Sequence, residues 1–115
     1  MKSALFAFAV FLAVPISALA HHGWSSYDAG HTLVLTGTIV EASYSYPHAT
    51  IRLKTAEKTW EAVLAPPSRM AMRGIPGDAL KAGLTATVEG YPSRQRGDEM
   101  RAERITIDGK TVELR

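Results

Sequence analysis

The chain has 115 residues, no cysteine, 13 basic against 11 acidic side chains and a formal net charge of +2. That length suits one small domain with a modest core, and the lack of cysteine excludes a disulfide framework. The near balance of charge argues against a nucleic-acid binder, which would show a basic stripe.

Lys2, the apolar run Ala4 to Val14 and the small-x-small triplet Ala18-Leu19-Ala20 are the three parts of a secretory signal. Cleavage is expected after Ala20. The apolar run is short beside the roughly 20 residues of a spanning helix, and Pro15 and Ser17 interrupt it. The expected product is periplasmic or secreted, with no stable membrane insertion after cleavage. Residues 1–20 are then the signal, 21–32 an N-terminal arm and 33–115 a single β-barrel domain. Lys2 leaves with the signal, so the mature chain has 12 basic and 11 acidic residues and a charge of +1.

Residues 21–32 show no clean periodicity and hold two glycines, which reads as an arm or loop with histidines at its ends. From Leu33 the pattern becomes period two. Leu33, Leu35, Gly37 and Ile39 fall on one face and Val34, Thr36, Thr38 and Val40 on the other, which predicts a strand. Gly37 inside that strand marks a bulge, a sharp bend or the close approach of another backbone. Pro47 ends the pairing. Ala49, Ile51 and Leu53 then form a second strand, and Trp60, Ala62 and Leu64 a third, joined by a turn at Ala56-Glu57-Lys58.

Ala65-Pro66-Pro67 breaks the strand pattern, and Ser68 is expected to cap a short helix over 69–73 that Gly74 stops. Leu84, Ala86 and Val88 predict a fourth strand. Ser93 to Asp98 reads as a polar loop inside a run of mixed charge reaching Arg104, most simply a solvated hairpin. The fifth strand is expected to alternate without interruption, with Met100, Ala102, Arg104 and Thr106 on one face. An Asp108-Gly109 turn and a short last strand, Thr111 to Leu114, follow. Three strands, a helical link and two more strands is the order of the OB-fold. The expected fold is all-β, a small five- to six-stranded barrel of OB-like topology with one short helix between strands three and four.

Several short motifs occur in order: the export signal, His21-His22, Gly37-Thr38-Ile39, Pro47-His48-Ala49, Trp60-Glu61, Leu80-Lys81-Ala82-Gly83 and Val88-Glu89-Gly90-Tyr91-Pro92. In these the chain resembles the bacterial exported family called domain of unknown function 6152, across essentially the whole mature region. Two positions depart from that family's pattern, Tyr46 where Asn is usual and Gly23 where Ser is usual. The resemblance implies a small exported β-domain of uncharacterised activity and supplies no mechanism.

Four histidines remain after cleavage: His21, His22, His31 and His48. A first-residue His21 has a free α-amine with an ordinary pKa of about 7.7 to 8.0, which a metal can deprotonate near neutral pH. That amine and the ring Nδ1 of the same residue can chelate, and a third nitrogen completes a T-shaped set suited to Cu(II), similar to the histidine brace of copper proteins. Imidazole suits copper and zinc, and copper heads the affinity order. His48, on a corner fixed by Pro47, is the preferred third ligand, with His22 and His31 as further candidates. The bland alternative is a mobile arm and a corner histidine bonded to a backbone carbonyl.

A second expectation is a non-metal ligand or protein interaction module built on exposed aromatic rings, Trp24, Tyr44 and Tyr46, with Tyr44 and Tyr46 as an exposed pair on one face. On OB-type barrels the ligand face is that of strands two and three. No nucleophile elbow or oxyanion motif occurs, and Asp28 is accounted for by a turn, so the sequence assigns no catalytic residue.

Overall fold

The computed structural model describes residues 23–115. The expected secretory signal, His21 and His22 lie outside the described residues. Six strands form one sheet: β1 (Leu33–Ser43), β2 (Thr50–Lys54), β3 (Thr59–Val63), β4 (Thr85–Pro92), β5 (Glu99–Ile107) and β6 (Lys110–Glu113). The strand order is β3-β2-β1-β4-β5-β6, and a parallel pairing of β3 with β5, Glu61 to Val63 against Glu99 to Arg101, closes the first five strands into a barrel. The expected all-β, OB-like barrel is therefore the observed one, with β6 as an added strand. Among the described residues no helix is long and apolar enough to cross a membrane.

β1 serves two sides of the barrel. Its first half pairs with β4 and its second half with β2, overlapping at Thr38. Gly37 stands where the strand changes partner, and a Cβ there would collide with the Lys54 carbonyl. Close approach of another backbone, one of three meanings of a mid-strand glycine, is the one realised.

The alternation read from β1 to β4 places Ile39, Ile51, Leu53, Ala62 and Val88 in the core, each almost fully buried. In β5 the expected uninterrupted alternation is wrong. Gly90 pairs with Ala102 and Glu89 with Arg104, so Glu103 is an extra residue in a bulge. The bulge reverses the phase. Met100 and Ala102 face the core before it, Ile105 does so after it, and Arg104 turns outward to bond Glu89 and Glu113.

The expected cap at Ser68 is also corrected. Helix α1 spans Pro67–Met72, with Pro66 at the cap position and no side-chain cap bond. Pro67 at the first helical position explains the start, since its missing N–H would be unpaired there anyway. The end is a Schellman turn: Ile75 N–H donates to Met70 O at 2.9 Å and Gly74 N–H to Ala71 O at 3.1 Å, with Gly74 at φ 92°. Met70 and Ile75 meet there, and both are buried in the core.

Candidate functional site

The arm, expected only as a loop, packs on the barrel. Trp24–Ser26 forms one 3₁₀ turn, and Tyr27 behind it is 5% exposed. Tyr27 bridges Ser93, Asp28 N–H donates to Pro92 O at 2.9 Å, and Arg94 N–H donates to Ser26 O at 3.0 Å. The backbone of the arm thus continues the ladder at the β4–β5 end. Its side chains add a second tie, the Tyr27 hydroxyl donating to Glu99 Oε2 at 2.9 Å. Burial first, and then the Glu99 carboxylate, pushes the Tyr27 phenol well above its ordinary value.

Trp24 meets Tyr91 edge-on at 6.2 Å and carries two guanidinium groups against its ring, Arg101 and Arg115, each 4.4 Å from the centroid. Arg101 is the buried charged residue of the described chain, 6% exposed. It sits at the closure seam, opposite Val63 on β3 and Tyr91 on β4. Burial lowers its pKa, helped by Arg115 and Arg69 and opposed by Tyr27. Its ordinary value is so high that it stays a cation.

Arg101 Nη2 lies 3.2 Å from His48 Nε2. A guanidinium has donors and no acceptor, so His48 Nε2 accepts, and a neutral His48 then keeps its proton on Nδ1. Taken with the Trp24 contact, this places the Trp24 ring centre within about 9 Å of His48 Nε2, one C–N bond included. The corner holding His48 runs directly into the barrel backbone. Ala49 is fully buried, donating to Ala65 O and accepting from Leu64 N–H, both at 2.8 Å.

His48 borders a cleft of about 240 Å³ with Tyr27, Thr50, Glu61, Arg96 and Glu99. Through Thr50, Glu61 and Arg96 it joins a polar cleft of about 430 Å³ over the outer face of β2 and β3, which Glu41, Arg52 and Asp98 complete. That is the ligand face of OB-type barrels.

The structure brings Trp24 and His48 together and places the other described candidates elsewhere. His31 is exposed in the turn entering β1, its N–H bonded to Asp28 O at 3.0 Å. The expected exposed pair Tyr44 and Tyr46 separates. Tyr46 is 70% exposed, whereas Tyr44 is half-buried, its hydroxyl 3.0 Å from Pro67 O and 2.9 Å from Ile75 O. Tyr44 is a clasp between the corner and the helical link, and Trp24 a packing ring, so the three do not form one aromatic platform. Among the described residues no three His, Asp or Glu side chains group as a metal site. A site of the expected kind needs His21 or His22.

Arg101 and Glu99 are not among the expected functional residues. Arg101 lies in a charged run that reads as solvated, and its burial follows from the β3–β5 seam, which has no local signature.

A family model described as a family of unknown function, DUF6152, matches residues 9–101. No curated protein matches the chain. Among solved structures, a complex of TiaS with an isoleucine tRNA and ATP is similar at 20% identity and TM-score 0.53, over 77% of this chain and 20% of that one. A ZRD-deleted mutant of TiaS in complex with agmatine is similar at 17% identity and TM-score 0.55, over 76% of this chain and 27% of that one. This chain therefore spans only about a fifth to a quarter of those chains, and at such identity the likeness is one of fold.

Proposed function

The chain belongs to DUF6152, a family of unknown function, and from that premise we propose that it is an exported, non-enzymatic binding protein that takes Cu(II) where its arm meets the barrel. His21, as the first residue after signal cleavage, chelates through its α-amine and Nδ1. His48 supplies the third nitrogen, and His22 is the alternative donor.

The observation that carries this reading is the docking of the arm, with Tyr27 on Glu99 and Trp24 on the guanidinium that holds His48. His21 precedes Trp24 by three residues, and three residues of extended chain span about 10 Å. Docking therefore keeps the mature N-terminus within reach of His48. The entropic cost of closing a site between arm and barrel is largely met in advance by the ladder bonds at Asp28 and Arg94. The donor set is nitrogen-rich and has no thiolate, which favours Cu(II) over Cu(I).

Electron paramagnetic resonance of Cu(II) bound to the mature chain tests this. An axial spectrum with nitrogen hyperfine structure that loses one nitrogen in His48→Ala is expected. A spectrum of aqueous copper, or one indifferent to both His21 and His48, refutes it.

A further inference from the structure

The outer faces of the barrel carry the same charged row twice. On β4, β5 and β6 the row is Glu89, Arg104 and Glu113, directly opposite one another, and Arg104 donates to both carboxylates at 2.8 and 2.9 Å. On β1, β2 and β3 it is Glu41, Arg52 and Glu61, again in register. This second row stays open. Arg52 lies 3.8 Å from Glu41, and Arg96, from the loop between β4 and β5, lies 3.8 Å from Glu61. Both distances are well beyond the roughly 2.8 Å of a charge-assisted hydrogen bond. The open row lines the polar cleft of about 430 Å³, a size within the range of about 300 to 1,000 Å³ for small-ligand sites.

The wall of the cleft is fixed in advance. Ser93 Oγ accepts from the Gln95 and Arg96 N–H groups at 3.2 and 3.1 Å, Asp98 O accepts from Glu61 N–H at 2.7 Å, and Gly97 O accepts from Lys58 Nζ at 2.6 Å. The loop bearing Arg96 and Asp98 is therefore held beside β3, which lowers the ordering cost of binding.

The lining sets the chemistry of the ligand. Two guanidinium groups, Arg52 and Arg96, stand with three carboxylates, Glu41, Glu61 and Asp98. The complementary ligand brings both signs, with one more positive charge than negative. No aromatic ring lines the cleft among the described residues, so the stacking platform that would favour a sugar is missing. We propose that the cleft binds a free amino acid with a cationic side chain, its carboxylate on Arg52 and its two cationic groups among Glu41, Glu61 and Asp98. Arg52 suits the anchoring role because a planar guanidinium takes a carboxylate through two parallel hydrogen bonds. The site uses no metal and is independent of the copper reading.

Calorimetric titration of L-lysine into the mature chain, with a chelator present to exclude metal, tests this. It is run beside 1,5-diaminopentane, which lacks the carboxylate, and glycine, which lacks the second cation. L-Lysine is expected to bind one-to-one and about tenfold more tightly than either. Arg52→Gln, at an exposed position, is expected to abolish the advantage over the diamine. Equal binding of lysine and the diamine, or lysine binding indifferent to Arg52→Gln, leaves only an acidic surface and overturns the proposal. Absence of binding at millimolar lysine overturns it too. In the wild type, amide NMR shifts on adding L-lysine are expected in β2, β3 and the 93–98 loop, and shifts centred elsewhere contradict the assignment.

Discussion

The Tyr27 hydroxyl donates a 2.9 Å hydrogen bond to Glu99 Oε2, joining residues 72 positions apart and fastening the arm to the strand that also carries Arg101. Tyr27→Phe removes one partner of a charge-assisted bond, for which a loss of about 1 to 2 kcal/mol in urea unfolding is expected. The pH dependence has a defined sign. The phenol is raised above its ordinary 10.0 in the folded chain, so the folded state holds that proton more tightly than the unfolded one. The Tyr27 contribution is fully present below pH 10 and falls away as pH rises beyond it. Tyr27→Phe is expected to flatten that alkaline loss, and an unchanged alkaline limb contradicts the assignment.

Trp24→Ala removes the ring that both guanidinium groups and Tyr91 touch. A loss of about 2 kcal/mol is expected from the two cation–π contacts and the packing together. If the arm positions the metal site, the same substitution also weakens Cu(II) binding, whereas an arm irrelevant to binding leaves it unchanged.

Gly37→Ala sets a methyl group against the Lys54 carbonyl at the point where β1 changes partner. Backbone cannot give way as a flexible side chain does, so a destabilisation of about 1 to 3 kcal/mol is expected. Thermal unfolding followed by circular dichroism measures it, and a neutral result contradicts the close approach.

Under the proposed export, the mature protein is expected to begin at His21. Intact-mass analysis of protein recovered from the periplasm or medium checks this, and a different first residue removes the amine that the chelate requires.

Much of the barrel is legible in the sequence because β2 to β4 keep one alternation each and β1 keeps one as far as Ile39, after which its register against β2 shifts, and Gly37 and Pro47 mark the strand crossing and the corner. The β5 bulge at Glu103 is not, because closure of the barrel imposes it where β5 passes from β3 to β6 as partner. The helix start at Pro67 is hidden for a local reason: two adjacent prolines read first as strand breakers, which leaves Ser68 as the apparent cap. At the site, His48 and the N-terminal histidines are visible as chemistry-bearing types. Arg101 is not, because the β3–β5 seam that buries it is a long-range pairing.

Sharing of one Cu(II) site between arm and barrel is what the proposed function stands on. Calorimetric titration of the mature chain beginning at His21, beside a chain with one added N-terminal glycine and a His48→Ala variant, reads it out without intermediaries. One-to-one binding of submicromolar affinity is expected, weakened tenfold or more by both changes, about 1.4 kcal/mol each. Equal, weak binding by all three proteins would contradict a shared site.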